Sequence, residues 1–152
     1  MSLKEREELT RLFAEDPMVL AAYVLEERRS GRRRRQPAAA AVAQPEWPLQ
    51  LGVLFRIPGT RRTPDPREKT VHRLVLARRA AELLGSSVEV LDLDKASQPE
   101  RLRAIDGGLV LYVRPGGEAA HRAFEAYVRD EKYRRRLPYL ARRRTSKAQT
   151  GE

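Results

Sequence analysis

The strongest constraint on the fold is a pair of short apolar runs that the chain keeps far apart. Val19–Leu25 is uninterrupted apolar sequence, and Leu49–Ile57 is nearly so. Both are too short for core helices and are rich in the branched and aromatic residues that favour sheets, so each reads as a buried strand. Asp16-Pro17 precedes the first and ends a helix over Leu3–Ala14, because a residue before proline avoids the helical region. Leu9, Leu12 and Phe13 give that helix its apolar stripe.

Beyond the second strand, Pro58-Gly59 and Pro64-Asp65-Pro66 punctuate a polar loop. Arg67–Leu84 is then predicted as a long helix, with Val71, Leu74, Val75, Ala80, Leu83 and Leu84 facing inward and Gly85 closing it. Val88–Leu93 is a third strand. Pro99 is placed to open a short helix through Ile105. Gly107-Gly108 turns the chain into a fourth strand, Leu109–Val113. A last helix over Glu118–Arg136 carries Ala120, Phe124, Tyr127 and Val128 on one face. The expected fold class is α/β, a small mixed sheet of about four strands with helices packed on one face.

At 152 residues, 41% of them hydrophobic, the chain is expected to form one domain over 1–140 with its own core. A basic tail, 141–152, follows. Residues 26–48 interrupt the domain as an Arg/Ala/Pro-rich insert that reads as flexible, and its prolines argue against one long helix. There is no cysteine, which excludes a disulfide frame and thiolate chemistry. His72 and His121 lack metal-ligand spacing. No apolar run approaches the roughly 20 residues of a membrane span, so the expected localisation is cytoplasmic.

Net charge is +10, and with five lysines among 31 basic residues, 26 are arginine. That bias suggests a high-GC genome and a thermophile, although arginine enrichment is a weak thermophile signal. Arg28–Arg35 holds six arginines in eight residues and Arg134–Arg144 six in eleven. Such clusters imply an acidic partner, either nucleic acid or an acidic protein face. Arg32, Arg33, Arg34, Arg35 and Arg142, Arg143, Arg144 are the candidate contacts, since a guanidinium grips two oxygens at once. No aromatic residue interleaves with Arg28–Arg35, so base stacking is not expected there. Trp47, between prolines, reads either as a plug into a cleft or as a partner anchor.

Three segments together resemble the minimal nucleotidyltransferases of the polymerase-β superfamily. They are Asp16–Gly31, Leu49–Phe55, and Ala80–Gly85 continuing into Val88-Glu89-Val90-Leu91-Asp92-Leu93-Asp94. Ile105–Tyr112 and Phe124-Glu125-Ala126-Tyr127 extend the likeness over almost the whole chain. In that family the first strand ends in Gly-Ser and the second carries Asp-x-Asp. Here Glu26 and Glu27 stand at the Gly-Ser positions, Pro48 and Gln50 at the two aspartates, and Glu89 at a third carboxylate.

Nucleotidyl transfer needs a close backbone approach to the triphosphate and carboxylates converging on Mg²⁺. One carboxylate cannot hold two metals. The resemblance therefore implies a catalytically inactive nucleotidyltransferase-like protein without metal or cofactor. It would work by binding, as an antitoxin or regulatory subunit paired with a helical HEPN-type toxin. An alternative is a nucleic-acid-binding module using the arginine clusters. A third is a transferase with a rearranged site built from Glu89, Asp92 and Asp94. Asp92 and Asp94 alternate with leucines, so they either present two carboxylates together or are the outward polar residues of a strand end.

Overall fold

The computed structural model describes residues 1–26 and 48–131, with Glu26 defined by its backbone alone. Helix α1 (Leu3–Glu15) opens on Ser2, whose hydroxyl accepts from the Glu5 amide while the Glu5 carboxylate accepts from Ser2 N. This reciprocal box satisfies two amide donors that the first helical turn leaves without partners. Strand β1 (Val19–Glu26) follows, and β2 (Leu49–Phe55) pairs with it antiparallel. Helix α2 (Pro66–Leu84) starts with the Asp65 carboxylate accepting from Arg67 N and ends at Gly85, where φ is 65°. Strand β3 (Val88–Asp92) returns parallel to β2. A short helix α3 (Gln98–Leu102) runs into a π-helical turn, Arg103–Gly107, and β4 (Leu109–Val113) pairs antiparallel with β1. The described part of the last helix, α4, covers residues 118–131.

The sheet order is β3-β2-β1-β4, so the two uninterrupted apolar runs form its centre. Its α/β class and four-stranded mixed sheet match the expectation from sequence. Helices α1 and α2 cover one face: Leu9, Leu12, Phe13, Leu76 and Ala80 pack on Val24, Val53 and Phe55. The opposite face is covered too. There Phe124 and Val128 of α4 and Ala104 of the π-helical turn pack on Leu20, Tyr23, Leu25 and Leu54. The layer is therefore helix–sheet–helix, one helical layer more than expected. A register shift between Val19 and Ala21 turns both Leu20 and Ala21 toward the second face, as an extra residue in a strand does. Gly52 allows close packing on that side, since a Cβ there would lie 2.6 Å from Leu25 Cδ1 and 2.8 Å from Leu93 Cδ2.

Helix α2 sits in a rotation the sequence did not reveal. Its buried residues are Lys69, Leu76 and Ala80. Val71 and Leu74 are each 60% exposed, Val75 45% and Leu83 44%, so most of the expected inner face points outward. Tyr127 of α4, also expected inside, is 55% exposed. The reason on α2 is electrostatic. Apolar residues lie all around this helix, and two polar anchors choose among its faces. Lys69 Nζ reaches Asp92 Oδ2 at 3.3 Å and Asp94 Oδ2 at 3.2 Å, while His72 Nδ1 donates to Asp16 Oδ2 at 2.7 Å.

Candidate functional site

The end of the sheet where β1 stops and β2 and β3 begin gathers the positions that the sequence singled out. Glu26 lies opposite Gln50 in the β1–β2 register, and Gln50 lies beside Glu89 in the β2–β3 register. Pro48 immediately precedes β2 and is half-buried. The geometry at this end is a polar pair: Gln50 Nε2 donates to Glu89 Oε2 at 3.2 Å. The other amide atom, Gln50 Oε1, is buried and accepts no hydrogen bond among the described residues. Glu27, Trp47, Arg32–Arg35 and Arg142–Arg144 lie outside the described residues.

This donor set does not fit a pair of Mg²⁺ ions. Magnesium takes near-octahedral oxygen ligation anchored by carboxylates, and two-metal phosphoryl chemistry needs several of them converging. Here the Glu89 carboxylate is hydrogen-bonded to the Gln50 amide, and Pro48 offers no ligand side chain. Among the described residues no three His, Cys, Asp or Glu side chains converge as metal ligands.

Asp92 and Asp94 belong to the far end of β3 and do not join Glu89. Asp92 is 7% exposed and Lys69 6%, and the two form a buried ion pair. Asp94 shares that lysine and also receives a two-pronged contact from Arg56, with Nη1 at 2.6 Å and Nη2 at 3.1 Å. Asp92 Oδ1 accepts from the Asp94 amide at 3.0 Å, which locks the turn. Both carboxylates are neutralised where they stand. The alternating aspartates mark an ion-paired strand end, and the arrangement needed for a rearranged site with Glu89 is not assembled.

A second polar cluster lies inside the opposite helical layer. The Tyr23 hydroxyl, in the middle of β1, contacts His121 Nε2 and donates to Glu125 Oε1 at 3.2 Å. His121 Nε2 and Glu125 Oε1 are 3.1 Å apart. Burial first, and then the neighbouring Glu125 carboxylate, push the Tyr23 phenol far above its ordinary range. A phenol held protonated this firmly fastens α4 to the sheet and is not a base or nucleophile.

Sequence reasoning missed Lys69, Arg56 and the Tyr23–His121–Glu125 cluster. Lys69 left one trace: it lies at helical spacing with Leu76 and Ala80, a lone cation on an apolar face. The partners of the other residues lie too far along the chain for any local pattern to join them.

No family model matches the sequence, and neither does any curated protein. Solved structures do. The MNT antitoxin of the MntA–HepT toxin–antitoxin complex superposes with a TM-score of 0.59 at 16% identity, covering 92% of this chain and 94% of its own. The antitoxin bound to a tri-AMPylated HEPN toxin from Shewanella oneidensis gives 0.58, also at 16%, over 93% and 94%. A toxin–antitoxin structure with AMP-PNP gives 0.50 at 18%, over 93% and 98%. The chain has the fold of the MNT antitoxins. The likeness spans nearly the full length on both sides, so the described residues share the fold as a whole and not one motif of it. Among the described residues no helix is long and apolar enough to cross a membrane.

Proposed function

We propose that this protein is a nucleotidyltransferase-fold antitoxin or regulatory subunit that acts by binding a HEPN-type toxin and not by nucleotidyl transfer. The observation that carries this reading is the Gln50–Glu89 pair, at positions that the sequence resemblance aligns with the metal-binding carboxylates of the catalytic members. A scaffold that keeps its sheet and helices while this end lacks a converging set of carboxylates retains value as a surface. The neighbouring structures with this fold are complexes with HEPN toxins, which supports a helical protein partner. Occlusion of the toxin would then follow from burying its active face, with no covalent change.

The deciding experiment mixes the purified chain with a HEPN-type toxin, in the presence of RNA, Mg²⁺ and labelled ATP. The expected outcome is a stable complex by light scattering, suppressed RNA cleavage, and no label on either protein. Label that reaches the partner, and is lost in Glu89→Ala, would return the chain to the transferases.

A second reading is favoured by the net charge of +10. It makes the chain a nucleic-acid-binding module working through Arg32–Arg35 and Arg142–Arg144. That reading predicts capture of RNA or DNA without sequence preference, with affinity falling steeply as salt rises.

A further inference from the structure

The outward face of α2 joins an apolar centre to a basic margin. Val71, Leu74 and Val75 follow one another at i, i+3 and i+4, and each is strongly exposed. Four of the eight large apolar side chains that reach solvent among the described residues are on this one helix. Scattered exposed apolar residues are normal, whereas a contiguous run on one element marks an interaction site. Arg67, Arg78 and Arg79 are exposed beside the run, against Glu68 and Glu82. The Arg78–Glu82 contact, at 3.4 Å between side chains 84% and 66% exposed, leaves that arginine open to a better partner.

We infer that this face of α2 is the docking surface for a helix of the protein partner, one whose apolar ridge is flanked by carboxylates. This deepens the binding reading above and rests on it. A narrow aliphatic stripe at i, i+3, i+4 is the ridge that interdigitates with a second helix. The flanking arginines select acidic margins on that helix and steer its approach. A second copy of this chain is a poorer occupant, because each copy brings +10 and the same arginines to the contact. Nucleic acid is poorer still, since the centre of the face offers no aromatic ring for a base.

The attachment of α2 makes the surface available without cost to the fold. Leu76 and Ala80 pack inward and Lys69 is held by Asp92 and Asp94, so Val71, Leu74 and Val75 have no part in the core. The face also lies apart from the Gln50–Glu89 end: the β3 residues that α2 covers are on the side of Val90, and Glu89 is on the other.

The test is the affinity of the HEPN-type toxin that the binding reading calls for toward wild type, Val71→Glu/Leu74→Glu, Arg78→Glu/Arg79→Glu and Tyr127→Ser. Circular dichroism and thermal melting accompany each variant. The apolar double variant is expected to lose at least about 30-fold in affinity with an unchanged melt, as a central hot spot does. The charge reversal should weaken binding chiefly at low salt. Tyr127→Ser, an equally exposed ring on the opposite helical layer, should leave affinity within about threefold. A double glutamate variant that binds like wild type would overturn the surface while leaving the partner reading intact. Self-association of wild type that the same variant abolishes would overturn it in favour of a second copy. No complex with wild type would remove the partner reading, and this surface with it.

Discussion

Lys69 is the side chain on which the arrangement of α2 depends most directly. It is buried with Asp92, and a buried ion pair that loses one member leaves an uncompensated charge. Lys69→Ala is therefore expected to destabilise the fold by about 3–5 kcal/mol in denaturant unfolding. Lys69→Met combined with Asp92→Leu removes both charges, and Arg56 still holds Asp94. That double variant should recover much of the loss, because an apolar pair of similar volume often replaces a buried ion pair without loss. It should stay about 1–3 kcal/mol below wild type, because the Asp94 amide loses its Asp92 Oδ1 acceptor. Tyr23 makes a different prediction. Its phenol is raised far above its ordinary 10.0, so the unfolded chain gives up the proton first as pH rises. The stability it contributes is complete below pH 10 and declines above that value. Urea unfolding of wild type and Tyr23→Phe across pH 8 to 11 should show the alkaline decline flattened in the variant.

Element by element, the strands were legible and the helix faces were not. Val19–Leu25 emerged close to its observed limits because a strand buried on both sides is apolar throughout. Leu109–Val113, an edge strand with Val110 exposed, did so because Gly107-Gly108 marks the turn into its apolar run. The end of α2 was equally plain, since Gly85 is a capping residue whose chemistry is local, whereas Ser2 and Asp65, which cap the starts of α1 and α2, were not read as caps. The rotation of α2 was hidden because it depends on Asp16, Asp92 and Asp94, far away in sequence. At the candidate site, the strand registers do bring the positions of Glu26, Gln50 and Glu89 together. The hydrogen bond between Gln50 and Glu89 was not readable, since an amide and a carboxylate on separate strands carry no shared local pattern. Packing between elements sets a further expectation. Gly52→Ala would drive a methyl against Leu25 and Leu93, and should cost about 1–3 kcal/mol in thermal or chemical unfolding.

For the molecule as a whole, charge and shape act at different ranges. A chain of net charge +10 attracts an acidic partner before contact, and salt screens that attraction over about 8–10 Å. The association rate with the HEPN-type protein should fall about tenfold between 50 and 500 mM salt in stopped-flow mixing. The dissociation rate should change little, because it reports the apolar contact on α2. A complex whose dissociation rate rises as steeply as its association rate falls would instead be held mainly by charge.

The position of β4 also has a consequence for how the protein comes into being. β1 leaves the ribosome before β2 and gains it on one flank, but its other flank stays open until residues 109–113 arrive. At about 5–20 residues per second, that edge waits for several seconds with its amides and carbonyls unsatisfied. Arg114, the residue after β4, then closes the seam by donating to the carbonyls of Pro17, Val19 and Arg56. A nascent chain stalled before this point presents a sticky, half-built sheet, so the demand for a chaperone is greatest in the interval between β2 and β4.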